Sequence, residues 1–485
     1  MDKKAILKES DRNFFSQVVK TIYMNPFCDE RMEVLCQISP RFLEDRTIAP
    51  ELNAHISRLD NSGFNSVQQF KGEDSRIMMQ AYLYQEFIRF APDFEKLILY
   101  QMRQRTKSMT VPFAQKLIAR LKSRGFHGED CVRYFALLYQ LHRAFYLISE
   151  FLVGDSPSMK QLRLALWNNV FTYDVGLYDQ HLWNRMEDFS TLLLGETGTG
   201  KGSAAYALGC SGFIPFDTGK VQFAQNFMET FIAINLSQYP ESLIESELFG
   251  HRKGSFTGAV ENHEGIFDRC SAHGALFLDE FGDISIPIQI KLLQVLQERT
   301  FSPVGSHKLK RFEGRVIAAT NRSIEDLRRK RNFRDDFFYR LCSDVIVVPT
   351  LRQRIEESPS ELEQMVNLLI TRITGEASAS LTDMVLEILK RDLPPDYQWP
   401  GNVRELGQAI RRILLTQHYE GDISITSPNL EEEFVGQIYN GSLKANEVLN
   451  QYCKILYERF GTYQEVARRT GLDPRTVKKY LQDKE

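Results

Sequence analysis

Gly195-Glu-Thr-Gly-Thr-Gly-Lys201, directly after the apolar run Thr191 to Leu194, is the stretch on which the fold of this 485-residue chain turns. An apolar strand that feeds a glycine-rich turn and then a helix is the setting in which such a turn wraps its backbone around phosphates. The glycines let successive N–H groups turn inward, the helix N-terminus attracts anions, and Lys201 adds a point charge for the outer phosphates. The stretch Gly195, Glu196, Thr197, Gly198, Thr199, Gly200, Lys201, Gly202 and Ser203 therefore reads as a site for a nucleoside triphosphate. The hydroxyl that ordinarily follows the lysine and helps hold Mg²⁺ is missing, because Gly202 stands there and Ser203 comes one position later.

Beyond this loop, short apolar runs at Phe231 to Ile234, Ala275 to Leu278 and Val316 to Ala319 alternate with helical segments, as in a parallel α/β sheet. Each run is followed by polar residues where a ligand would sit. Asp279 and Glu280 close the second run, so one carboxylate can organise Mg²⁺ while its neighbour activates water. A positive group facing the γ-phosphate is also required, and Arg334 and Arg340 in Phe333-Arg-Asp-Asp-Phe-Phe-Tyr-Arg-Leu341 are candidates.

The N-terminal part reads as mostly helical up to a break at Gly154-Asp-Ser-Pro157. Val132, Phe135, Leu138, Leu141, Phe145, Ile148 and Leu152 recur at spacings of three and four, as one buried helix face demands, and read as core rather than as a pocket. Composition is that of a globular protein, 43% hydrophobic and 25% charged with a net charge of −3, which gives no overall sign of nucleic-acid or membrane affinity. No signal-peptide pattern and no run of 18 apolar residues occurs, so the expected location is the cytoplasm. The seven cysteines contain no CxxC pair, which argues against a disulfide framework and a zinc site.

Glu245-Ser-Glu-Leu-Phe-Gly250 followed by Gly254-Ser-Phe-Thr-Gly-Ala259 cannot be interpreted from composition. Together with the phosphate loop and Asp279-Glu280, these residues resemble the sigma-54-dependent transcription activators, a branch of the AAA+ ATPases, over roughly residues 153 to 418. Gly254, Ser255, Phe256, Thr257, Gly258 and Ala259 match the family's sigma-54 contact loop, GAFTGA, except at Ser255. The resemblance implies that Lys201 is the phosphate lysine, Asp279 the magnesium aspartate and Glu280 the water-activating glutamate. Asn235 matches the asparagine that pairs with that glutamate and couples nucleotide state to the contact loop. Asn321 in Ala319-Thr-Asn321 matches the first sensor, and Arg404 in Trp399-Pro-Gly-Asn-Val-Arg-Glu-Leu406 the second. Arg334 and Arg340 match arginines offered to a neighbouring subunit, so a ring, in the family commonly a hexamer, is implied. Its ligands would be ATP and Mg²⁺, and its task the remodelling of the sigma-54 polymerase holoenzyme. This chain departs from the family in Gly202, in about a dozen extra residues between Lys201 and Asn235, and in an expanded stretch from Asn168 to Ser190.

At the C-terminus, Ala467, Gly471, Leu472, Val477 and Leu481 have the spacing of a helix-turn-helix, with Asp473 able to cap the second helix and Pro474 in its first turn. Arg475, Thr476, Lys478 and Lys479 are then available to double-stranded DNA, in a segment from Gln451 to Glu485 with eight Lys/Arg and five Asp/Glu. The expected organisation is a helical regulatory domain over 1–152, an α/β AAA+ domain over 153–418 with a helical lid from about 351, a linker over 419–445, and a DNA-binding domain over 446–485. The expected function is an enhancer-bound activator. The alternative is a nucleotide-gated DNA-binding regulator that does not remodel sigma-54 polymerase.

Overall fold

The computed structural model describes residues 6–104, 109–329, 333–421, 434 and 437–482. Most of the expected linker, residues 422–433 and 435–436, lies outside the described residues. The chain divides into two compact units, Met1–Asp383 with Gly401–Ile410, and Met384–Pro400 with Arg411–Glu485.

The first unit is built on a five-stranded parallel sheet. We label its strands β1 (Thr191–Leu194), β2 (Phe231–Asn235), β3 (Ala275–Asp279), β4 (Arg315–Thr320) and β5 (Asp344–Val347), arranged in the order β2-β3-β4-β1-β5. The four apolar runs singled out in the sequence are the first four strands. They are continuous rather than alternating because both faces of the sheet are covered. Strand pleating divides their side chains between two cores. Leu193, Phe277, Ile317 and Ala319 join the helix Lys201–Gly209 and the N-terminal helices. Leu192, Leu276, Leu278, Val316 and Ala318 join the helices Ile286–Glu298 and Asp335–Leu341 on the other face.

Every named element of the N-terminal region is a helix among its described residues, and its core is continuous with that of the sheet. Gly72–Arg103, Pro112–Ser123 and Gly128–Phe151 contribute to the same apolar cluster as β1 and the phosphate-loop helix. The link is the segment that the sequence shows as longer than usual. Residues 210–230 fold into a small hairpin, Phe216–Asp217 against Gln222–Phe223, whose aromatic rings enter the N-terminal helices. Phe216 packs edge-on to Phe135 at 4.7 Å and Phe223 lies 4.4 Å from Tyr139. Val111 N donates to Val221 O at 2.8 Å and Asn226 Nδ2 to Gln104 O at 2.9 Å, so the backbone of the hairpin is tied in as well. Each buried ring contributes roughly 1.5–3 kcal/mol.

The helix Gly128–Phe151 corrects the single-face reading of its periodicity. Phe135 and Ile148 are fully buried, but Phe145 is 42% exposed. Leu138, Leu141 and Phe145 line a cavity instead of a solid core. The helix is buried along two sides, and the spacing of three and four could not separate them.

From residue 351 to 416 the elements are helical, Leu351–Glu357, Ser360–Thr374, Ala379–Asp392 and Asn402–Thr416, in keeping with the expected lid. In the second unit, Ala445–Phe460, Tyr463–Thr470 and Pro474–Gln482 close around Cys453, Leu456, Val466, Ala467 and Val477. Gly471 makes the turn at φ 72°, where a Cβ would be strained. Asp473 Oδ1 accepts from Arg475 N at 2.8 Å, which is the cap expected there. The seven cysteines are free thiols, and no described helix is long and apolar enough to cross a membrane.

Candidate nucleotide site and contact loop

The phosphate loop leaves β1 and enters the helix Lys201–Gly209 through Gly198 at φ 82° and Gly200 at φ 105°. Space as well as conformation dictates glycine at 198, since a Cβ would stand 2.2 Å from Gly401 O and 3.1 Å from Arg404 Cβ. The start of the helix Asn402–Thr416 is thereby set against the loop, which places Arg404 beside it. Position 202 is different. A Cβ there meets nothing within 4 Å, so no steric demand accounts for the glycine.

Lys201 is 6% exposed, and its Nζ donates to Gly195 O at 2.7 Å and Glu196 O at 3.0 Å. Burial pushes its ammonium below the ordinary lysine value, and the charges of Glu280 and Asp279 oppose that shift. Both carboxylates are therefore within electrostatic reach of the loop. Asp279 ends β3, and Glu280 follows in the left-handed region at φ 53°, its N–H bonded to Asp279 Oδ1 at 3.0 Å. A non-glycine residue there carries strain of roughly 1–3 kcal/mol, which turns the chain sharply away from the strand end. Asn321, immediately after β4, donates Nδ2 to Thr197 Oγ1 at 3.2 Å. Asp279 with Glu280, Asn321 and Arg404 thus converge from three separate segments on the loop that carries Lys201.

Asn235 lies opposite Asp279 in the register of β2 and β3. Its Oδ1 accepts from Ser237 N at 3.0 Å and Ser237 Oγ at 2.7 Å, and it makes no hydrogen bond with Glu280. The implied pairing of asparagine with glutamate is therefore not made in this structure, because the amide caps the following turn. Arg334 and Arg340 are not brought to this site either. Arg334 is exposed and paired with Asp336 at 2.7 Å, and Arg340 Nε donates to Leu296 O at 2.9 Å.

Two residues that the sequence did not single out anchor the loop from the lid side. Glu196 is held by both guanidinium nitrogens of Arg352, one at 3.0 Å, and this pair keeps its carboxyl below the ordinary glutamate range. Asn402 is fully buried at φ 53°, donates Nδ2 to Glu196 Oε2 at 3.0 Å and Thr197 O at 3.2 Å, and accepts Leu351 N at 2.8 Å. Only the position of Asn402 beside Arg404 in the Gly401–Leu406 stretch could have hinted at it.

The site suits a triphosphate, since a buried ammonium sits at a helix N-terminus within a glycine-rich loop. For Mg²⁺ the chain offers the Asp279 carboxylate, whereas Gly202 supplies no oxygen. Among the described residues no cluster of three or more His, Cys, Asp or Glu could hold a metal by itself.

On the same unit, Gly254–Ala259 forms a closed turn in which Gly254 N bonds to Ala259 O at 2.8 Å and Ala259 N to Phe256 O at 3.0 Å. Phe256 and Thr257 are exposed, and both flanking glycines have positive φ with open space around them. Ser255 is turned inward: a Cβ on Gly305 would come within 2.5 Å of its Cβ, and its Oγ is buried with no hydrogen-bond partner. In the C-terminal helix cluster, Arg475, Thr476, Lys478 and Lys479 are all exposed while Val477 is buried.

Residues 179–347 match the model of the sigma-54 interaction domain. The chain is 37% identical to the DNA-binding transcriptional regulator NtrC of Azospirillum brasilense over 262 residues, 54% of this chain and 47% of that protein. It is 33% identical to the Nif-specific regulatory protein of Azotobacter vinelandii over 348 residues, 69% of this chain and 59% of that one. With the transcriptional regulatory protein ZraR of Klebsiella oxytoca the identity is 34% over 333 residues, 67% of each. The chain thus spans about half the length of NtrC and somewhat more of the Nif regulator.

Proposed function

Because the chain belongs to the sigma-54-dependent transcription activators, a AAA+ family whose activation domain implies ATPase activity, we propose that it hydrolyses ATP to push the Gly254–Ala259 turn against the sigma-54 polymerase holoenzyme. The observation that carries this reading is the closed turn itself, with Phe256 and Thr257 exposed on the unit whose sheet presents the phosphate site.

In this reading Lys201 exchanges its bonds to Gly195 O and Glu196 O for phosphate oxygens. Asp279 would hold Mg²⁺, which would supply positive charge to offset the negative charge building on the phosphates. Glu280 takes a proton from the attacking water, and Asn321 and Arg404 respond to the phosphate state. As membership of the family implies, Arg334 and Arg340, which make no contact with the phosphate loop of their own chain, serve a neighbouring copy in a ring. Arg475, Thr476, Lys478 and Lys479 hold enhancer DNA through phosphate and major-groove contacts. The setting that fits polymerase and DNA partners is the cytoplasm.

Thr257→Ala tests the proposal. ATPase activity should persist while open-complex formation at a sigma-54 promoter is lost, along with retention of sigma-54 in the presence of ADP and aluminium fluoride. Normal transcription by this variant would remove the turn from the account and favour a nucleotide-gated DNA-binding regulator.

A further inference from the structure

A cavity of about 560 Å³ lies among the N-terminal helices, within the range of sites that enclose small organic molecules. Much of its wall comes from three helices, with Tyr84 and Phe87 from Gly72–Arg103, Leu138, Leu141 and Phe145 from Gly128–Phe151, and Trp167 from Pro157–Phe171, and the first helices of the chain close most of the rest. The lining therefore reaches from the first helices of the chain to Pro157–Phe171, beyond the break at Gly154.

The polar groups around it are few and mostly engaged. Arg31 Nε donates to Thr21 O at 3.0 Å, and Asp179 is paired with Arg133. Arg46 is exposed at the rim. Burial holds His142 below its ordinary value and the Tyr23 phenol above its own, so both are neutral at pH 7. Gln80, 9% exposed, adds an uncharged amide that can both donate and accept. A cation would lose its hydration here with Asp179 already paired, and an anion could meet a counter-charge only on the side of Arg31 and Arg46, whereas an uncharged ring would exchange water for aromatic contact over the rest of the wall.

The opposite side of Gly128–Phe151 grips the nucleotide machinery. Gln140 Nε2 donates to Ser211 O at 3.0 Å, and Arg143 donates to Gly212 O, both just past the end of the phosphate-loop helix. Phe135 and Tyr139 hold the hairpin that follows. One helix is thus a wall of the cavity and a support of the phosphate-loop helix.

We infer that this cavity is an effector site for a small uncharged aromatic molecule, and that Gly128–Phe151 transmits its occupancy to the nucleotide site. The output half of the inference rests on the nucleotide-binding reading above, and the cavity half does not. The test uses the full chain and N-phenyl-1-naphthylamine, an uncharged aromatic probe whose fluorescence rises in apolar surroundings. Saturable binding at one site per chain is expected. Leu138→Trp should weaken it by about tenfold or more, and Phe145→Ala, at an exposed position of the wall that does not threaten the fold, should weaken it too. Saturating probe should change the affinity for a fluorescent mant-ADP by about fivefold. Non-saturable binding, or binding that both variants leave unchanged while their thermal melts match wild type, would overturn the site. Equal mant-ADP affinity with and without probe would overturn the coupling. Failure of mant-ADP to bind at all would refute the ATPase reading instead, and the response of the probe signal to the two variants would then decide the cavity alone.

Discussion

Replacing Asn402 tests how the lid holds the phosphate loop. Its side chain makes three hydrogen bonds from a fully buried position, to Leu351 N, Glu196 Oε2 and Thr197 O, at a backbone φ of 53°. Asn402→Gly keeps the backbone conformation available and deletes all three bonds. The buried Leu351 N–H then lacks a partner, at a cost of about 1–3 kcal/mol. Glu196 is partly exposed and retains Arg352, so water offsets much of its loss. With the flexibility that glycine adds to the unfolded chain, roughly 0.5–1 kcal/mol, the expected destabilisation is about 3 kcal/mol. Asn402→Ala avoids the glycine cost but keeps a Cβ in the left-handed region without the local hydrogen bonds that let asparagine tolerate it, roughly 1–2 kcal/mol worse than glycine there. Alanine should therefore be the worse variant by about 0.5–1 kcal/mol, although it is the conventional choice. Urea unfolding gives the stabilities, and titration with mant-ATP gives the effect on the loop, expected to be about tenfold weaker binding. Destabilisation below about 1 kcal/mol by both variants would refute the reasoning, as would glycine faring worse than alanine or nucleotide affinity unchanged in both.

Glu280→Gln should bind ATP and lose turnover by about 10²–10⁴-fold, and unchanged steady-state hydrolysis would remove Glu280 as the base. Ser255→Ala deletes a buried hydroxyl that has no partner, so the melting temperature should rise by an amount equivalent to about 1 kcal/mol; a fall would mean that the hydroxyl is satisfied in solution. The Glu196 carboxyl is held below its ordinary value by Arg352 and Asn402, so the folded state releases this proton more readily than the unfolded chain. Its contribution is complete above the unfolded value and is lost as pH falls through the folded one. Glu196→Gln should flatten the fall of melting temperature between about pH 5 and pH 3, and parallel curves for the two proteins would count against the ion pair.

The central sheet was legible because a strand buried on both faces leaves an unbroken apolar run, as at Ala275–Leu278 and Val316–Ala319. β5 was not, since this edge strand begins with Asp344 and leaves Val347 64% exposed. Lys201, Asp279 and Glu280 could be read from motif spacing, and the structure brings them into one electrostatic neighbourhood. Asn402 and Arg352 lie more than 150 residues from Glu196, and nothing in local patterning reports such a contact. Extra length after Lys201 was visible, but strands of two residues are too short for periodicity to reveal a hairpin. The pattern in Val132 to Leu152 identified a helix correctly and concealed that it has two interfaces.

The aromatic hairpin after the phosphate-loop helix changes what a truncated protein would mean. Removing residues 1–152 is the natural way to ask whether the N-terminal helices restrain or promote activity. That cut would strip Phe216 and Phe223, now 7% and 4% exposed, of the rings of Phe135 and Tyr139, and Phe227, now 0% exposed, of Arg143. The remaining fragment would carry a sticky aromatic patch beside its phosphate loop, prone to self-association. Loss of activity in such a fragment would report an uncovered core rather than a missing signal, so the direction of control is better sought with point changes in the intact chain.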